Sequence, residues 1–91
     1  MDRYDELYNE LCQISKEILP YYDIDKIKMY SVYIWTKGNG EDDYGENVFD
    51  IQKDKIVYYV KDHEIPNEVM SIIQKIQSKL VEISELESVY K

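Results

Sequence analysis

Two stretches with apolar residues at helical spacing, one near each end, enclose three runs rich in β-branched and aromatic residues, and turn-forming residues separate those runs. This order predicts an α+β domain of the form α-β-β-β-α. The expected sheet is a three-stranded antiparallel meander packed against N- and C-terminal amphipathic helices. With 91 residues, 44% of them hydrophobic and 33% charged, the chain can bury one core, so residues 1–91 read as a single domain.

The first helix is expected over residues 2–19, where Tyr4, Leu7, Tyr8, Leu11, Ile14 and Ile18 recur every three or four positions along one stripe. Asp2, Asp5 and Glu6 suit the positive end of its dipole, and Pro20 stops it by removing a backbone donor. Residues 21–25 read as a connection and residues 26–36 as the central strand. In that strand Ile27, Met29, Tyr33 and Trp35 fall on one face, and Tyr30, Val32 and Ile34 on the other. Both faces are apolar, whereas an antiparallel sheet covered on one side alternates with polar residues. A loop, a second copy or a partner is therefore expected to cover the second face.

Residues 37–43, Lys-Gly-Asn-Gly-Glu-Asp-Asp, supply hairpin turn chemistry. A second strand follows over residues 44–51, with Phe49 and Ile51 alternating with Glu46, Val48 and Asp50 in the manner of a half-exposed edge strand. Residues 52–55 form a polar connection, and Ile56 to Val60 a short third strand. Pro66 suits a first helical turn, and Val69, Ile72, Ile73, Ile76, Leu80 and Ile83 place the second helix over residues 66–88. It is longer than the sheet needs, so its end, with Leu86, Val89 and Tyr90, is expected to overhang or fray.

Nineteen acidic against eleven basic residues give a net charge of −8. Nucleic-acid binding draws on phosphate neutralisation by clustered Lys and Arg, and anionic membranes attract the same groups, so the composition argues against direct binding to either. A protein with a basic surface would instead be steered towards this chain. The chain has no apolar run of membrane-spanning length and does not start like a signal peptide, which points to the cytoplasm. Cys12 is the only cysteine, so no internal disulfide can form.

No constellation for chemistry emerges. His63 lies between Asp62 and Glu64 ahead of a helix, where a histidine is ordinarily a solvated loop residue. Cys12 borders an apolar stripe, where a free cysteine ordinarily packs as a small hydrophobe. Asn39, Glu41, Asp42, Asp43 and Glu46 do not follow the ligand order of a calcium loop, and Gly38 and Gly40 lack the helix of a phosphate-binding loop. No catalytic, cofactor-binding or metal-binding residue is assigned, and the chain does not read as an enzyme. What stands out is ten tyrosines and one tryptophan, residues that give large contact area at low entropic cost. Tyr33, Trp35, Glu41, Asp42, Asp43, Tyr44 and Glu46 are the partner-binding candidates.

The opening Met1-Asp2-Arg3-Tyr4-Asp5-Glu6-Leu7-Tyr8-Asn9-Glu10-Leu11, the stop at Ile18-Leu19-Pro20, and the run Lys28-Met29-Tyr30-Ser31-Val32-Tyr33 resemble the start of the YezG-like bacterial immunity proteins. The resemblance covers about the first 50 residues, and proteins of that family continue well beyond the length of this chain. It implies a small acidic protein that neutralises a co-produced toxin by binding it, and it brings no catalytic residue with it. Three functions follow from the sequence. The first is an immunity-type inhibitor that binds a toxin or nuclease-type effector through its basic surface. The second is a phage or mobile-element inhibitor that mimics nucleic acid to block a host defence or DNA-handling protein. The third is a homodimeric structural or adaptor subunit joined through the second sheet face.

Overall fold

In a computed structural model, residues 3–38 and 45–89 are described. Helix α1 spans Arg3–Ser15 and runs into a 3-10 turn, Lys16–Ile18. Four strands follow, β1 Asp23–Ile27, β2 Ser31–Trp35, β3 Asn47–Gln52 and β4 Ile56–Tyr58, and helix α2, Asn67–Val89, completes the chain. The strands form one antiparallel sheet in the order β1-β2-β3-β4. The α+β class is as the sequence predicts, with four strands in place of three.

The additional strand comes from the segment expected to be one long central strand. Residues 26–36 instead contain the end of β1, a turn and all of β2. The turn is closed by the Lys28 N–H donating to the Ser31 carbonyl at 2.9 Å. It contains no glycine, asparagine or proline, so nothing in its composition marks it. The turn also changes the division into faces. Ile27 pairs with Val32, not with the Tyr33 face, and Tyr30 stands 68% exposed at the hairpin tip. Asp25 is an extra residue in β1, a bulge that lets Ile24 and Ile27 oppose Ile34 and Val32 on the same face.

Strand β3, expected at an edge, lies inside the sheet between β2 and β4. It carries its own bulge at Val48, since Ile34 pairs with Phe49 and Trp35 with Asn47. Val48 and Phe49 consequently both enter the core.

Both helices lie on the Val32–Ile34 face. Leu7, Leu11 and Ile18 pack with Val69, Ile73, Ile76, Leu80 and Ile83 over Val32, Ile34, Phe49 and Ile51. Burying each such side chain contributes about 1.5–3 kcal/mol, which is how a chain of this size offsets its ordering entropy. The helices are antiparallel. Tyr4 Oη donates to Glu87 at one end, Lys79 Nζ meets Glu10 Oε2 at 2.8 Å midway, and Lys75 Nζ meets Glu17 Oε1 at 3.2 Å at the other. The end of α2, expected to overhang or fray, lies along α1 as far as Glu87, and Leu86 packs against the core, while Tyr90 lies outside the described residues. Pro66, expected in the first turn of the second helix, stands immediately before α2, its carbonyl accepting from the N–H groups of Val69 and Met70 at 3.0 and 3.1 Å.

Candidate protein-binding face

The helices leave the other face of the sheet without a covering layer among the described residues. On β2, Tyr33 and Trp35 point away from Val32 and Ile34; both are half-buried, and neither belongs to the core cluster. Directly paired strand residues share a face, so the register defines what surrounds them. One row runs Lys26, Tyr33, Asp50, Val57, and the next runs Asp23, Trp35, Asn47. Of the sequence candidates, Tyr33 and Trp35 are brought together here. Glu46 sits at the base of the β2–β3 hairpin, where its carbonyl accepts from the Thr36 N–H and its own N–H donates to Thr36 Oγ1, each at 2.9 Å. Glu41, Asp42, Asp43 and Tyr44 lie outside the described residues.

Asp50 is the unusual member of this face. It is 3% exposed, the least exposed carboxylate that a described residue presents. Tyr59 Oη donates to its Oδ2 at 2.6 Å, and its Oδ1 has no partner. The same is true of the buried Oδ1 of Asn47. The bulge at Val48 is what sets Asn47 and Asp50, three residues apart, on one face in neighbouring rows. Leaving a buried acceptor unpaired costs about 1–3 kcal/mol, more for a charged group. The hydrogen bond to Asp50 pushes the Tyr59 phenol above its ordinary value, with burial and the carboxylate's charge adding to the effect. Lys28 Nζ lies 5.5 Å from the centre of the Tyr33 ring, so this face already holds one cation against an aromatic ring.

Asp50 and Asn47 were not among the residues singled out from the sequence. Alternation with Phe49 and Ile51 did place Asp50 on the outer face of its strand. Its enclosure involves Tyr59, which follows the last residue of β4 and whose alignment with Asp50 no local pattern reveals.

His63 is also placed differently from the solvated loop residue expected. Its Nε2 and the Tyr22 hydroxyl are 2.6 Å apart, and its ring lies tilted against that of Phe49 with the ring centres 6.2 Å apart. Tyr22 meets Phe49 edge-on at 5.3 Å, and burial pushes its phenol above the ordinary value, with Tyr58 nearby adding to it. The imidazole thus serves as a packing group at one end of the core. Asp62 before it adopts a φ of 64°, which turns the chain towards α2. Cys12 is half-buried in a shallow groove between α1 and β1, beside Tyr8, whose hydroxyl donates to the Ile27 carbonyl at 2.9 Å.

Among the described residues no three His, Cys, Asp or Glu side chains are grouped to hold a metal ion, and no helix is long and apolar enough to cross a membrane. Comparison with family models, curated proteins and solved structures finds no match to this chain.

Proposed function

We propose that this chain is a protein-binding inhibitor of the immunity type, which docks the helix-free face of its sheet onto a basic region of a toxin or comparable effector. The observation that carries this reading is the sheet face itself. Two large aromatic residues, Tyr33 and Trp35, stand beside an almost fully buried carboxylate with an unused acceptor oxygen, and no described element covers them. Aromatic anchors around a desolvated polar group are the usual composition of an energetic centre in a protein interface. The net charge of −8 favours a cationic partner and opposes self-association. The resemblance to YezG-like immunity proteins points the same way.

The test uses the basic proteins encoded beside this gene as candidate partners, mixed with the purified chain and followed by calorimetry and size exclusion. A complex is expected that weakens by at least tenfold in Tyr33→Ala and Trp35→Ala, with the circular dichroism of both variants unchanged. Complexes indifferent to both substitutions would overturn the assignment of this face. A free protein with dimeric mass at micromolar concentration would favour the homodimeric subunit instead. A nucleic-acid mimic would lose binding when Glu41, Asp42 and Asp43 are neutralised together while tolerating Trp35→Ala.

A further inference from the structure

We infer that Asp50 and Asn47 form an acceptor site for a single arginine side chain of the partner. This rests on the reading of the sheet face as a docking surface and specifies what that surface recognises. Two buried oxygens, Asp50 Oδ1 and Asn47 Oδ1, lack donors, and the β3 bulge places them on one face. Their immediate pair partners on β2 are Tyr33 and Trp35. Two acceptors, one of them anionic, beside aromatic rings call for a planar cation with several donors in a fixed fork. A guanidinium meets that description, since it donates to more than one acceptor at once and stacks on aromatic faces. A lysine ammonium is a compact, strongly hydrated point charge and gives up more on entering a site this enclosed.

Entry requires that the site open, and Tyr59 is the group placed to open it. It follows the last residue of β4, is 55% exposed, and is held to the site by its hydroxyl on Asp50. The arginine competes with that phenol for the carboxylate. Free of a partner, Asp50 keeps one hydrogen bond; with the arginine in place both of its oxygens are used. Lys26 and Lys28, exposed on the β1 side, keep the site from attracting cations indiscriminately.

The experiment needs no identified partner. N-acetyl-arginine-methylamide, and separately its lysine counterpart, are titrated into the isotope-labelled protein, and the backbone amide and carboxyl carbon signals are followed. Arginine is expected to give saturable shifts centred on Tyr33, Trp35, Asn47 and Asp50 at millimolar concentration, with lysine at least fivefold weaker. Asp50→Asn, close to the native side chain in size, is expected to weaken arginine by at least tenfold. Tyr59→Phe removes the competing phenol and is expected to tighten it, an effect that a merely structural Asp50 would not produce. Linear, unsaturated shifts, equal response to lysine, or an unchanged affinity in Asp50→Asn would each overturn the site. The two levels separate cleanly. A partner that protects the face while free arginine fails sinks only this inference, whereas saturable arginine binding with no partner on the face leaves the site standing and removes the inhibitor reading.

Discussion

Replacing Gly45 with alanine perturbs the hairpin that sets Trp35 and Asn47 side by side. Gly45 has a φ of +28°, and a Cβ built there runs into the carbonyl oxygen of Thr36, with the carbonyl carbon 2.9 Å and Oγ1 3.1 Å away. The obstruction is backbone, so it cannot be relieved by turning a side chain. The left-handed conformation alone costs an L-residue about 1–2 kcal/mol. Relieving the clash means pulling Thr36 from Glu46, which loses up to two hydrogen bonds of about 1 kcal/mol each. The expected destabilisation is about 2–4 kcal/mol, which for a domain of this length lowers the melting temperature by about 10–25 °C. Circular dichroism melts measure it, and Trp35, the only tryptophan, reports the same transition by fluorescence. Thr36→Val is the control, since it removes only the hydroxyl acceptor and is expected to cost about 1 kcal/mol. In the Gly45→Ala background that cost should largely vanish, because the bond is already broken. A melting temperature within a few degrees of wild type for Gly45→Ala, or strict additivity of the two changes, would refute the reasoning.

Three further outcomes follow from the packing. The hydrogen bond to Glu87 pushes the Tyr4 phenol up from 10.0 to about 12, with burial and the carboxylate's charge adding. The folded chain favours the neutral phenol, so this contribution is whole below pH 10 and fades as pH rises through about 12. Ultraviolet titration should show a late-ionising tyrosine that Glu87→Gln returns towards the others. At acid pH the opposite sign applies. Lys79 holds the Glu10 carboxyl below its ordinary 4.5, so the link between helices is present above that value and lost as pH falls through the lowered one. Carbon-detected titration of Glu10 in wild type and Lys79→Met measures it, and identical curves would dismiss the link. Tyr22→Phe deletes the hydroxyl shared with His63 and is expected to cost about 1 kcal/mol, read from the urea midpoint at unchanged slope.

Legibility from sequence followed the range of the interactions. Both helices were readable because Leu7, Leu11 and Ile18, and Val69, Ile73, Ile76, Leu80 and Ile83, recur at a spacing that only one helical face satisfies. The existence of the third and fourth strands was readable, the one from the alternation around Phe49 and Ile51 and the other from the apolar run after residue 55. However, β3 is interior and buried rather than a half-exposed edge, and β4 ends at Tyr58 rather than Val60. The β1–β2 hairpin was not readable. Its turn, Lys28-Met29-Tyr30, is made of ordinary residues, and Ile27 and Met29 continue the apolar alternation straight through it. Both bulges were equally hidden, since an extra residue is defined only by the strand opposite. That gap also concealed Asp50. Tyr33 and Trp35 could be chosen as aromatics on one face of a single strand, but a carboxylate enclosed by Tyr59 needs the register of β2, β3 and β4 to be seen.

The most direct measurement is fluorine NMR of the chain with 5-fluorotryptophan at Trp35, recorded as a basic partner recovered with this protein is added. The label is unique to this chain and lies in the row beside Asp50. The expected result is a single free resonance replaced by a bound one, insensitive to the solvent isotope, with the exchange lost in Asp50→Asn. A complex that forms at full stoichiometry while the Trp35 resonance keeps its free position and solvent response would contradict the assignment of the sheet face as the binding surface.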